Sequence, residues 1–289
     1  MRSLLWIVGV FTCIACGAQT VEPAAKIAFT RTFLPTEQEK SYQGSEWYGV
    51  GGIDENTFNA IIDVADEVYT PILKKNGLTL IFERKWDDST VNAKCNRDTE
   101  LVTVSLFGGL ARHKDMTPEG FLLVVSHELA HAMSVYPLYS NSWASSEQSS
   151  DNMAVQQIAR KLFAQESSGN GDKCNCGFAP DYNRKINEYC AKFSDEEQNI
   201  ICKRSMAGGL ALGKVLANFG GEAVPSYETP SKVRVRKTQQ SHASAQCRLD
   251  QYGIAALCEK TIPEAPFLST KAKAMPYICQ YSSCWYSGN

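Results

Sequence analysis

From residue 54 onward apolar side chains recur every three or four positions: Phe58, Ile61, Ile62, Ala65, Val68, Tyr69, Ile72 and Leu73. That spacing predicts an amphipathic helix, with Asn76-Gly77 as its stop and Pro71 as a kink or a new turn. The period then shortens. Residues 78–82 read as a short apolar strand. Residues 90–94 and 101–107 read as a strand pair, joined hairpin-fashion by the polar stretch 96–100 and closed by Gly108-Gly109. Thr117-Pro118-Glu119 combines an N-cap residue, a first-turn proline and an acid at the positive end of the dipole, which predicts a helix over 118–136 halted by Pro137. A further helix is expected after Ser145 or Ser146, carrying Ala154, Ile158 and Leu162. The capping box Ser194-Asp195-Glu196-Glu197 opens another that reaches about residue 219, and a last one follows His242. Residues 19–53 are polar and irregular and read as a lead-in segment. Helices around one small sheet make an α+β domain over 54–260, with a Cys-rich insertion at about 167–205 and a Cys- and aromatic-rich tail at 261–289.

Composition narrows the class. The chain has 289 residues, 44% hydrophobic and 21% charged, enough to bury a core without metals or disulfides as props. A formal net charge of −2 gives no electrostatic case for nucleic acid. Met1-Arg2-Ser3, an apolar run over 4–15 and small residues beyond it describe a secretory signal over 1–18, and no later run has the length of a transmembrane helix. Ala15-Cys16-Gly17 resembles a bacterial lipobox, which would place a lipid anchor on Cys16; ordinary cleavage after Ala18 is the alternative. An exported chain is expected, in the periplasm, as an outer-membrane lipoprotein, or secreted. Of the 11 cysteines, Cys13 and Cys16 belong to that signal, and the other nine read as up to four disulfides with one thiol left over. Cys95 is the candidate for the free thiol. A zinc site made by Cys174, Cys176, Cys190 and Cys202 is the rival reading for part of that set.

Candidate chemistry lies in the histidines, of which there are only 4. Two of them form His127-Glu128-Leu129-Ala130-His131 within the helix expected at 118–136. Residues four apart share a helix face, so both imidazoles reach one ion, and Glu128 beside them is placed to act as a general base on water. A third protein ligand is needed. The position that holds the third histidine of a metzincin is Pro137 here, whereas Glu147 and Asp151 share one face of the next helix. One is expected to bind the metal and the other to hold a histidine ring by its second nitrogen. His113, between Arg112 and Lys114, reads as a loop residue. Lys232-Val233-Arg234-Val235-Arg236-Lys237 reads as a solvated strand edge.

HExxH, then Glu-x-x-x-Asp, then His-x-x-x-x-x-Arg is the order of motifs in the HtpX, CAAX-prenyl-protease and BepA gluzincin endopeptidases. The chain resembles that family through His127 to His131, Glu147 with Asp151, and His242 with Arg248, and through Val91-Asn92-Ala93 and the strand after it. The resemblance spans residues 55 to 255. It implies a zincin-like fold and Zn2+ held by His127, His131 and Glu147. Glu128 would be the catalytic base, Asp151 the partner of a ligand histidine, His242 an oxyanion stabiliser, and Arg248 an ionic anchor for that segment. Departures are the short link between His131 and Glu147, Ala243 where the family has proline, and the lack of membrane helices. The expected activity is hydrolysis of peptide bonds in unfolded or damaged polypeptides of the cell envelope, the substrate adding as a strand beside residues 101–107. The alternatives are a catalytically inactive, zinc-stabilised chaperone-like or binding protein, and a Cys-rich interaction domain in which the motif is accidental.

Overall fold

The computed structural model describes residues 29–36, 52–133, 138, 143–167, 176–179, 181–259 and 279–288. The signal over 1–18, Cys16, Cys174, Pro137 and most of the lead-in and the tail lie outside them. The described residues form a mixed α+β structure: helices packed around one four-stranded sheet. No helix among them is long and apolar enough to cross a membrane.

Helix α1 (Glu55–Lys75) begins where Asp54 accepts a hydrogen bond from the Thr57 amide, ends at Asn76 and runs through Pro71 without stopping. Strand β2 (Thr79–Lys85) follows, then the hairpin β3 (Ala93–Asp98) and β4 (Leu101–Phe107). The hairpin is tighter than its polarity suggests. Asn96, Arg97 and Asp98 belong to β3, and the turn is Thr99-Glu100, with Thr99 in the left-handed region at φ 53°. Cross-strand pairing, not side-chain polarity, sets that boundary.

The lead-in segment supplies β1 (Phe29–Thr32), an element its composition does not betray. The strand order is β1-β3-β4-β2: β1 pairs antiparallel with β3, β3 antiparallel with β4, and β2 parallel with β4. Strand β4 is therefore covered on both edges, and a peptide has no place beside Leu101–Phe107. Phe33 and Leu34, which follow β1, are fully buried core residues.

After the one-turn helix α2 (Gly108–Ala111), helix α3 (Pro118–Ala132) is capped by Thr117, whose side chain accepts from the Gly120 amide. It is buried from Glu119 to Ala132, as befits a helix apolar on nearly every face. After Ala132 the chain turns at Met133; residues 134–137 lie outside the described set. Helix α4 (Glu147–Met153) runs into a π-helical stretch (Ala154–Ala159) and then α5 (Arg160–Ser167). Helix α6 (Arg184–Cys190), an element the sequence pattern missed, and α7 (Glu196–Gly220) carry the cysteine-rich stretch into the core through Ile186, Cys190, Ile201 and Cys202. The N-cap of α7 is Asp195, one residue beyond Ser194, and Asp195 accepts from the Gln198 amide. Helix α8 (Ala245–Ala256) is capped by Ser244.

Cys190 pairs with Cys202, Cys247 with Cys284 and Cys258 with Cys279, and Cys176 is disulfide-bonded as well. The pairing of Cys190 with Cys202 removes the four-cysteine zinc site. Among the described residues Cys95 is free and buried, as expected. The end of the tail is a cap on α8. Trp285 is fully buried there and donates through Nε1 to Gln251 at 2.9 Å. Residues 232–237 form no strand; they lie against this cap through Val235 N–H on the Ser283 carbonyl at 3.0 Å. His113 is a loop residue, as expected, but a buried one at 2% exposure, with its ring against Phe219.

Candidate metal centre

Three side chains from two helices meet at one buried point. The four-residue spacing on α3 stacks His127 and His131 on one face with ring centroids 4.6 Å apart. Glu147, the first residue of α4, projects its carboxylate at both rings. His127 Nε2 stands 3.3 Å from Glu147 Oε2, and His131 Nε2 stands 3.7 Å from Oε1. One ligand atom from each of His127, His131 and Glu147 lies within 4.8 Å of the others, and all three residues are buried. A metal ion fits this group.

The opposite ring nitrogens are fixed by the protein. His127 Nδ1 donates to Asp151 Oδ1 at 2.8 Å, and His131 Nδ1 donates to the Ser145 carbonyl at 2.8 Å and lies 2.9 Å from the Ser150 hydroxyl. With Nδ1 carrying the proton, Nε2 of each ring turns its lone pair inward. Neither Nε2 atom has a hydrogen-bond partner among the described residues. Buried polar atoms are normally satisfied, so two imidazole nitrogens left open beside a carboxylate are what a cation would satisfy.

Asp151 sits behind His127 and is itself held on every side. Arg248 of α8 donates to it twice, Nε to Oδ2 and Nη2 to Oδ1, both at 2.7 Å. Tyr252, one helical turn further along α8, donates to Oδ1 at 2.7 Å. Burial opposes ionisation of Asp151, but the Arg248 charge and the His127 hydrogen bond outweigh it and hold the carboxyl at about 2. Burial likewise pulls the His127 imidazole down, and Asp151 overcomes it, raising the ring to about 9. A bound cation takes the place of that proton. Burial works against Glu147 as well, yet the charges of His242 and His131 keep it well below the usual carboxylate range.

Glu128 adjoins the ligand pair and is fully buried, and both its oxygens lack a hydrogen-bond partner among the described residues. Burial raises its carboxyl to about 8, against the attraction of His127 and with the help of Glu147. A carboxylate so placed takes up a proton near neutral pH. Cys95 of β3 lies close enough to Glu128 to feel it; burial first, and that charge second, push its thiol well up.

His242 enters from the loop before α8. Its Nε2 donates to the Thr32 carbonyl at 2.9 Å and stands 3.3 Å from Glu147 Oε2. Of the residues singled out in the sequence, the structure brings together the three ligand candidates, with Glu128 beside them, Asp151 and Arg248 behind, and His242 at the margin; His113 packs against Phe219 instead. Sequence reasoning missed Ser145, Ser150, Tyr252 and Phe33, whose ring stands edge-on to His127 at 5.5 Å between centroids. Tyr252 carried a signal, four residues after Arg248 on one helix. Phe33 carried none.

No protein-family model, curated protein or solved structure matches the chain.

Proposed function

We propose that the chain is a zinc-dependent metalloendopeptidase of the gluzincin kind, exported to the cell envelope and acting on unfolded polypeptides. The observation that supports it best is the convergence, in one buried cluster, of two open imidazole nitrogens and a carboxylate with a further carboxylate, Glu128, that has no hydrogen-bond partner among the described residues. A purely structural metal site has no use for Glu128. Two nitrogens and one oxygen suit zinc and leave a coordination position free, the pattern of catalytic sites.

Bound zinc would supply a Lewis acid that polarises a carbonyl and acidifies water. The residues do the rest. Glu128 accepts the proton of the attacking water and returns it to the leaving nitrogen. Asp151, gripped by Arg248 and Tyr252, holds the His127 ring in its working tautomer. His242, which already donates to a backbone carbonyl, is placed to donate to the oxyanion. Disulfide bonds among the cysteines fit an oxidising compartment.

The test is zinc content with proteolysis of an unfolded protein, wild type against Glu128→Gln. Wild type should hold one zinc and digest the substrate. The variant should hold the same zinc and lose activity by about 10²-fold or more. A zinc-loaded variant that digests as fast as wild type would overturn the reading.

A further inference from the structure

An endopeptidase must admit an extended chain to its metal, yet His127, Glu128 and His131 are all fully buried. Part of the cover is contributed by the lead-in segment, whose Phe33 ring stands against His127. Strand β1 pairs along the outer edge of β3, with Thr30 opposite Asn96, Arg31 opposite Cys95 and Thr32 opposite Lys94. The ladder ends with the Phe33 amide on the Ala93 carbonyl at 3.0 Å. The Asn92 side chain then brackets Leu34, accepting from its N–H at 2.9 Å and donating to its carbonyl at 3.3 Å.

Two successive carbonyls of this segment are taken by groups of the metal centre. Thr32 C=O accepts from His242 Nε2, the same nitrogen that stands 3.3 Å from Glu147, and Phe33 C=O accepts from Arg248 Nη1 at 3.1 Å. The Phe33 ring meanwhile packs against His127. An extended backbone, antiparallel on a sheet strand, with a carbonyl on the residue assigned to the oxyanion, is the arrangement expected of a bound peptide. A cleft of about 450 Å³ runs along this backbone to the metal centre, lined by Thr30, Thr32, Pro35, Glu147, Ser241 and His242.

We propose that the outer edge of β3 is the peptide-binding edge of the site and that β1 is its resident occupant, standing in a substrate's place and keeping the centre shut until it leaves. This assignment rests on the metallopeptidase reading. Exchange of β1 for an incoming strand conserves the backbone hydrogen bonds, so it is nearly balanced. A tethered occupant, however, competes at an effective concentration on the order of mM. Polypeptides that bind more weakly are excluded, which makes the enzyme selective for long, exposed, extended segments.

The experiment uses the full-length, zinc-loaded protein. Thr30 and Asn96 face each other at a position without ladder hydrogen bonds, where Cα atoms are close enough for a disulfide. The double variant Thr30→Cys with Asn96→Cys, its crosslink verified by mass mapping, should retain zinc. It should digest an unfolded protein at least about tenfold more slowly than either single variant. Hydrogen exchange supplies a readout that needs neither substrate nor turnover. The Arg31 and Phe33 amides should exchange about 100-fold faster than those of Val102 and Val104 in β4, the sign of an opening below global unfolding. Crosslinked protein with the activity of the single variants, or β1 amides exchanging together with β4, would overturn the proposal. Absence of digestion by every form would instead remove the metallopeptidase reading, while the exchange rates would still decide whether β1 leaves its edge.

Discussion

Asp151 and Arg248 form a fully buried, doubly hydrogen-bonded ion pair whose acid simultaneously holds the ring of His127. The two residues are 97 positions apart, so the pair ties α8 to α4 behind the metal ligands. Truncating one member of a buried pair leaves the other charge uncompensated, at about 3–5 kcal/mol. Asp151→Asn should therefore lower stability by that order in urea titration. By giving His127 Nδ1 a neutral amide oxygen in place of a charged acceptor it should also weaken zinc binding about 10–100-fold, measured by competition with a chelating dye. Unchanged zinc affinity would mean that Asp151 serves the fold alone.

Tyr252 separates those two roles. Its hydroxyl donates to Asp151 Oδ1 at 2.7 Å and lies 3.2 Å from Arg248 Nη2, while its ring is core. Tyr252→Phe keeps the ring and removes one hydrogen bond to a charged group, a loss of about 1.5–3 kcal/mol. The Asp151–Arg248 pair and the His127 bond survive, so zinc affinity should fall far less than in Asp151→Asn. The comparison is made by measuring both variants in the same dye competition.

What the sequence disclosed and what it hid divide by range. His127 and His131 are legible because four-residue spacing on a helix is a local rule, and Glu147 with Asp151 is legible for the same reason. Arg248 and His242 lie about a hundred residues further on, and only the order of motifs brought them to the centre. Strand β1 left no local trace: Phe29–Thr32 is four residues long in a polar stretch, and its identity as a strand comes wholly from β3, some 60 residues away. Leu101–Phe107 announced itself as a strand by alternation but not by its neighbours. Alternation fixes faces, whereas pairing partners are set by tertiary contact. That is why β4, expected as the strand a peptide adds to, lies inside the sheet.

Metal removal should act on stability as well as on activity. An ion bound only by the folded state stabilises it by about 2.7 kcal/mol at a hundredfold excess over Kd. Without it, two imidazoles, Glu147 and Glu128 remain buried together. Dialysis against a chelator should lower Tm by several degrees, and added zinc should restore it. His131→Ala should show the lower Tm and no response to zinc. A Tm that ignores both chelator and zinc would indicate that the cluster holds no ion.

The tail cap should stabilise the helix that carries Arg248. Cys247, the neighbour of Arg248 on α8, is bonded to Cys284 across 37 residues, and the bond pins the fully buried Trp285 over Gln251. Replacing both cysteines by alanine should cost about 2–4 kcal/mol, chiefly through the freedom returned to the unfolded chain. Trp285 would then reach solvent, shifting tryptophan fluorescence to the red before global unfolding.

Helix α7 packs closely on α3, the helix that carries both histidines. A Cβ on Gly208 of α7 would stand 2.7 Å from the Glu119 carbonyl oxygen and 2.9 Å from Leu123 Cδ1. The first of these is backbone at the start of α3, so it cannot be relieved by a rotamer change. Alanine is the better helix former by about 1 kcal/mol, and on an exposed face Gly208→Ala would stabilise α7. Here overpacking opposes it, at about 1–3 kcal/mol, and must push α7 away from the helix that carries both histidines. Net destabilisation is expected in urea titration, with zinc affinity lowered because α3 shifts relative to Glu147. A stabilised variant with unchanged zinc affinity would show that the two helices can separate without disturbing the metal centre.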